Sequence, residues 1–204
     1  MSCYEALRIY IESYCRATMD ATEYQLIQQV FQVRKIRKKQ FLLRSGDICC
    51  HTGFIVRGAM RQYRIDRRGG EHIVQLAIEN WWISDRESFY RGVPSAYTID
   101  ALEDTDLLVF TQEGFNTLLK QGPCFARMVT LLDERNTIAI QKRLLAALSH
   151  SAESRYLDFL DQHPCFAGRF PQHMLASYLG ISPETLSRIR RSIEDRAPEL
   201  QPGL

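Results

Sequence analysis

The sequence predicts an α+β protein built from a small antiparallel β-sandwich or roll, one long helix and a C-terminal helix-turn-helix. Three observations carry this prediction. Residues 30–111 are rich in β-branched and aromatic residues and are punctuated by turn signals. Helical period then runs from Gln112 to Ser149 and persists for an unusual length after Pro123. Finally, "QHMLASYLGISPETLSRIRR" from Gln172 sets apolar, small and turn-forming residues in the register of two crossing helices.

In chain order, Tyr4, Leu7, Ile11, Tyr14 and Cys15 line one face of a first helix, and Tyr24, Leu26, Ile27 and Val30 repeat the pattern weakly. The clearest β unit is a hairpin in which Phe54 to Ile65 lead up, "DRRGG" turns and Glu71 to Ile78 return. A further strand pair is expected in "YTIDALEDTDLLVF", with Leu102, Leu107, Val109 and Phe110 facing inward. The long helix carries two stripes. Cys124, Leu131, Ile138 and Leu145 recur every seven residues, and Phe125, Val129, Leu132 and Ala139 run beside them. Two stripes need two partners, so one is expected against the β-domain and the other, seamed by Leu131, Ile138 and Leu145, against a second copy in a homodimer. Arg135 and Lys142 interrupt one flank of that seam, and Glu134 and Gln141 the other. The polar "SHSAES" at 149–154 marks the best boundary, giving domains at 1–122, 123–149 and 150–204.

Composition excludes more than it suggests. A formal charge of +2 gives no global argument for nucleic acid, membrane or acidic substrate. Glu5, Arg8, Glu12 and Arg16 rule out a secretory signal at the N-terminus, and no window offers the ~18 apolar residues of a membrane span, so a soluble, cytoplasmic protein without membrane contact is expected. The six cysteines form no C-x-x-C pair and read as reduced, buried small hydrophobes, with a redox role for adjacent Cys49 and Cys50 as the alternative. The five histidines include no H-x-H or H-x-x-x-H pair, so neither a metal site nor a catalytic centre is expected, and no cofactor is assigned. Lone histidines such as His51 and His72 on strands read as surface or hydrogen-bonded residues rather than haem ligands.

The chemistry lies in residues 172–191. Leu175, Leu179, Ile181, Leu186 and Ile189 are apolar, Ala176 is small enough for the crossing, and Gly180 permits the turn. Ser182 is a natural N-cap, and Pro183 at the first helical position lacks only an N–H that the helix would not use. Glu184, Ser187, Arg188 and Arg191 then share one polar face that can enter a DNA major groove, where arginine reads guanine and glutamate accepts from cytosine. The macrodipole alone would also favour that charge order on a plain solvated helix. Residues 151–204 hold six Arg against seven Asp or Glu, a net −1, so phosphate contacts would rest on a few placed groups such as Arg169, Arg190 and Arg191, and on helix starts near Gln172 and Ser182.

This arrangement resembles the Crp/Fnr family of bacterial transcription regulators over nearly the whole chain. The most telling pieces are "FPQHMLASYLGISPETLSRIRR" at 170–191 and "ALEDTDLLVF" at 101–110. The resemblance implies an antiparallel β-roll of the cyclic-nucleotide-binding kind as sensor, a long dimerisation helix and a winged-helix-like helix-turn-helix. It also implies that Glu184 and Arg188 read bases in double-stranded DNA while Ser182 and Thr185 help hold the backbone. Pro183 stands where many members have a further base-reading arginine.

The sensor end departs from the family. Members that bind cyclic nucleotide carry a Gly-Glu pair and then an Arg-Ser or Arg-Thr that grips the phosphate, whereas here Ser84-Asp85 and Ser95-Ala96 stand near those positions. Arg86 and Arg91 are the nearest substitutes. Trp81, Trp82, Arg86, Phe89, Tyr90 and Tyr97 are candidates to line a pocket for an unidentified small effector, or form a plain core cluster. The run "RKIRKKQFLLR" at 34–44 has six cations in eleven positions and reads as a charge-protected strand edge, or else as a contact to flanking DNA or an acidic partner such as RNA polymerase. The expected function is a homodimeric, sequence-specific DNA-binding regulator and not an enzyme. The alternative is a β-roll scaffold or small-molecule sensor acting through protein contacts without reading DNA.

Overall fold

The computed structural model describes residues 2–196. Two helices, α1 (Cys3–Cys15) and α2 (Ala21–Val30), precede eight strands: β1 (Gln32–Ile36), β2 (Phe41–Leu43), β3 (Thr52–Arg57), β4 (Met60–Ile65), β5 (Glu71–Ala77), β6 (Trp82–Ile83), β7 (Thr98–Ala101) and β8 (Thr105–Phe110). A short helix α3 (Arg86–Arg91) interrupts them after β6. Six further helices follow: α4 (Gln112–Gln121), α5 (Pro123–Ser149), α6 (Ala152–Gln162), α7 (Phe166–Arg169), α8 (Gln172–Leu179) and α9 (Pro183–Arg196). The chain divides into compact units at Asn136/Thr137, inside α5 and not at its ends, because only the first turns of α5 pack on the roll.

The strands form two antiparallel sheets, β1-β8-β3-β6 and β2-β7-β4-β5, which settles the β-region as a roll of α+β type. Two expectations are corrected here. Phe54 to Ile65 is not one strand, and β7 and β8 do not pair with each other; in each case the chain leaves one sheet and enters the other. The physical cause is a tight corner at Gly58, whose φ of 107° is left-handed. A Cβ at Gly58 would lie 2.8 Å from Thr105 Cα and from the Asp104 carbonyl oxygen, so the β3–β4 corner rests directly on the β7–β8 corner. The Ala59 carbonyl accepts the Leu102 N–H across it (2.8 Å), and Leu102 is accordingly only half-buried. The β4–β5 hairpin is present, with Ile65 opposite Glu71. Asp66 holds its turn by accepting the N–H groups of Arg68 and Gly70 (2.8 and 2.9 Å), and His72 bonds the same carboxylate. Arg61 forks onto Asp100 (2.8 and 3.0 Å) and reaches Glu71, which ties β4 to both neighbours.

Strand β8 is buried from Leu107 to Phe110 without alternation. One face looks into the space between the sheets, and the other is covered by helices, including α1, which packs on β3 and β8. Phe31, Phe110, Phe115 and Phe125 meet ring to ring there, with centroids 5.1–6.3 Å apart. Strand β1 forms the edge of its sheet, so the basic run 34–44 borders an open edge, and five of its six cations plus Gln40 lie on β1 or the turn after it. That geometry matches a charge-protected edge.

Helix α5 starts with no capping side chain of its own, since Gln121-Gly122-Pro123 offers none. Its cap comes from Glu23 on α2, a carboxylate only 3% exposed, which accepts the N–H groups of Phe125 (2.9 Å) and Cys124 (3.3 Å). Pro123 has no N–H, and the Ala126 N–H bonds the Gly122 carbonyl, so every donor of the first turn is used. Gly122 leaves the space, because a Cβ there would stand 3.0 Å from Glu23 Oε1.

Of the cysteines, Cys15 and Cys49 are buried, Cys3 and Cys124 half-buried, and Cys50 and Cys165 exposed, so uniform burial does not hold. Cys50 turns outward because neighbours in extended chain point opposite ways. Burial pushes the Cys49 thiol up, away from the thiolate that redox chemistry needs. No helix among the described residues is long and apolar enough to cross a membrane.

Two stability outcomes follow. Glu23→Ala is expected to cost about 2–3 kcal/mol in denaturant unfolding by leaving two buried donors unpaired, and Glu23→Gln less. Gly58→Ala is expected to cost about 2–4 kcal/mol, the sum of backbone strain and overlap with the facing corner.

Candidate functional site

In the C-terminal unit, α8 ends on Gly180, whose φ of 66° is left-handed. The N–H of Gly180 returns to Ser177 (3.1 Å) and that of Ile181 to Ala176 (3.0 Å), which closes the last turn. Ala176 and Leu186 are fully buried at the crossing, with Leu175 and Ile189 beside them, while Leu179 and Ile181 are half-buried. Two arginines absent from the sequence reading hold the turn from outside. Arg155 donates to the Leu179 carbonyl (2.9 Å), and Arg143 donates to the Tyr178 carbonyl (2.9 Å) and lies over the Tyr178 ring. Their only sequence signal is a cation one or two turns along a neighbouring helix, which no periodicity singles out.

Ser182 caps α9 by accepting the Thr185 N–H (3.2 Å), and Pro183 opens the helix. Glu184, Ser187, Arg188 and Arg191 line one shallow open concavity together with Pro183. Leu186 and Ile189 point the other way, into the core. Glu184, Arg188 and Arg191 are exposed, and neither arginine is held by an ion pair among the described residues. In contrast, Arg190 faces Glu194 (3.8 Å) and Arg196 bonds Glu153 (3.0 Å). The Glu184 carboxyl is held below the usual carboxylate range by its own N–H and by the Ser182 hydroxyl, which keeps it an ionised acceptor. Every regular element of this unit among the described residues is a helix, and residues 197–204 lie outside the described residues.

In the N-terminal unit, α3 is a helix that the sequence reading missed, although Asp85 before it and Gly92 after it are ordinary cap signals. The Asp85 carboxylate accepts the N–H groups of Glu87 (3.1 Å) and Ser88 (3.3 Å), and the Ser95 hydroxyl donates to its other oxygen (2.6 Å). Between α3 and α5 lies a cavity of about 100 Å³. Trp82, Phe89 and Tyr90 line it with Arg86, as anticipated, but Trp81 and Tyr97 do not. Trp81 packs against the roll's core outside this cavity, and Tyr97 leads into β7 of the other sheet. Arg86 pairs with Asp133 of α5 (2.6 Å), and Arg91 with Glu87 (3.1 Å).

Along α5, Phe125 is buried in the roll's core, and Val129 and Leu132 pack against it. Ala139, expected in that stripe, is exposed, because from Glu134 to Leu145 no residue of the helix is covered. Of the seven-residue series, Cys124 is taken into the core and Leu131 is half-buried, while Ile138 and Leu145 are 44% and 61% exposed. Arg135, on the flank, lies over the Tyr14 ring (4.7 Å).

Residues 33–122 match the family described as cyclic nucleotide-binding domain. The cyclic AMP receptor protein of Thermus thermophilus is 27% identical over 188 residues, covering 89% of this chain and 86% of that protein. FixK2 of Bradyrhizobium japonicum superposes with a TM-score of 0.68 at 17% identity (82% of this chain, 86% of that one). A Crp/Fnr-family regulator of Eubacterium rectale does so with a TM-score of 0.63 at 17% identity (87% and 85%). The fold of this chain is therefore that of these proteins, with a cyclic nucleotide-binding domain at residues 33–122. The proteins it resembles include regulators of transcription. Asp85 and Ser95 are bonded to each other, and Ser95 also accepts the Tyr97 N–H (3.0 Å).

Cap and reading face separate in a stability measurement. Ser182→Ala should cost about 1 kcal/mol in chemical denaturation, whereas Glu184→Ala and Arg188→Ala should stay within about 0.5 kcal/mol of the parent.

Proposed function

We propose that this chain is a homodimeric, sequence-specific DNA-binding regulator whose roll senses a signal other than a cyclic nucleotide. The observation that carries the DNA reading is the exposed face of α9, where Arg188 and Arg191 stand without ion-pair partners among the described residues, beside an ionised Glu184. Two other arginines of α9 are instead paired, Arg190 with Glu194 on the same helix and Arg196 with Glu153 on α6. In the groove, Glu184 and Arg188 read base edges, Ser187 and Arg191 extend the contact, and Ser182 and Thr185 sit at the helix N-terminus, where backbone N–H groups meet phosphate.

Dimerisation is supported by the exposed apolar face of α5. Leu144 and Leu148, 59% and 78% exposed, join Ile138 and Leu145 on it, with Leu131 at its start. Doubling the reading heads compensates for a C-terminal segment of net −1. Against cyclic nucleotide stands the Asp85–Ser95 bond, which spends the two gripping positions on each other and supplies no cation for a phosphate. RNA polymerase is the partner such a regulator would meet, and the protein acts in the cytoplasm.

Selection from a random duplex library should recover a two-fold symmetric site, and Glu184→Ala or Arg188→Ala should abolish its base preference. Unchanged affinity in Arg188→Ala would favour action through protein contacts instead. Leu145→Glu should shift the protein from dimer to monomer in analytical ultracentrifugation while leaving its helical content intact.

A further inference from the structure

We propose that the cavity between α3 and α5 is a binding site for small aliphatic monocarboxylates, the tail entering the aromatic space and the carboxylate taking Arg86 from Asp133. The cavity is distinct from the positions that grip a phosphate elsewhere in the family, since neither Asp85 nor Ser95 lines it. Its depth is apolar, walled by Phe89, Phe110, Phe115, Phe125, Met128 and Leu132. Its mouth is polar, with Ser84, Arg86, Asp133 and Asn136. An apolar pocket that presents a guanidinium at one end is complementary to an acid with a short hydrocarbon tail, because each part of such a ligand meets its own kind of surface.

The ion pair at the mouth is built for exchange. Arg86 and Asp133 are 2.6 Å apart with side chains 52% and 49% exposed, so Asp133 returns to water at little cost when another carboxylate replaces it. Arg86 loses nothing in the substitution, since it holds a carboxylate before and after. The net affinity therefore comes from the tail. An apolar cavity of about 150 Å³ accepts benzene, and this one, at about 100 Å³, takes a chain of roughly four carbons. A neutral ligand would have no use for Arg86, and a cation would be repelled by it.

The exchange also has a consequence for the fold. Arg86 opens α3, and Asp133 lies on α5 close to where the roll's hold on that helix ends. Binding releases the Arg86–Asp133 ion pair between these helices and puts the tail between them instead. The site belongs to the N-terminal unit, so the proposal stands whether or not α9 reads DNA.

The test is calorimetric titration of the full chain at neutral pH with straight-chain acids from propanoate to octanoate, and with pentanol as the uncharged control. Affinity should rise about fourfold per methylene up to pentanoate or hexanoate and then level off, and pentanol should bind at least about tenfold more weakly than pentanoate. Arg86→Gln should weaken pentanoate at least about tenfold, whereas Asp133→Asn, which removes the competitor, should tighten it about three- to fivefold. The opposite signs separate a ligand site from a structural ion pair, whose two halves would act alike. Absence of binding by the parent protein up to about 10 mM acid, a flat chain-length series, or variants that move affinity in the same direction would overturn the proposal. The parent series needs no variant to fold.

Discussion

A single buried carboxylate sets the start of the helix on which everything downstream depends. Glu23 comes from α2, a hundred residues earlier in the chain, and supplies the acceptors that Gly122 and Pro123 lack. Ionised or neutral, a carboxylate so little exposed is tolerable only because two N–H groups and the positive end of a 27-residue helix face it. With its first turn fixed, α5 presents Phe125 and Met128 to the roll, Asp133 to α3, and its apolar leucines to the outside.

What the sequence made legible was whatever depends on neighbours in the chain. The bounds of α5, the Ser182 cap, the Gly180 turn and the apolar register of α8 and α9 are local, and each sits where spacing placed it. The mistakes concern partners distant in sequence. Phe54 to Ile65 reads as a single strand because only Gly58 and Ala59 separate β3 from β4, and only the approach of Thr105 to Gly58 shows that the chain changes sheets between them. Glu23 looks like any charge on an amphipathic helix, and its burial follows from a helix start with no local cap. Trp81 and Trp82 are adjacent in sequence and both pack on the core, yet only Trp82 lines the cavity.

The candidate sites differ in the same way. The face of α9 was readable because four residues at i, i+3, i+4 and i+7 need only a helix to meet. The cavity draws on β3, β6, α3, β8, α4 and α5, so only Trp82, Arg86, Phe89 and Tyr90 of its fourteen lining residues could be named from composition, and the rest, including Asp133, could not. In the roll, Ser95 and Asp85 satisfy each other, while the cavity between α3 and α5, which neither of them lines, is largely apolar.

The position of β1 bears on how the protein is made. Its ladder runs from Gln32 opposite Val109 to Ile36 opposite Thr105, so the strand leaves the ribosome some seventy residues before its partner exists. Pairings so remote in sequence form late, and until then β1 waits with its backbone groups unoccupied. The cluster of lysines and arginines at 34–39 makes each nascent copy repel the next during that interval. A feature that at equilibrium is only a charged border thus acts chiefly in time, keeping chains on the same polysome apart until β8 arrives.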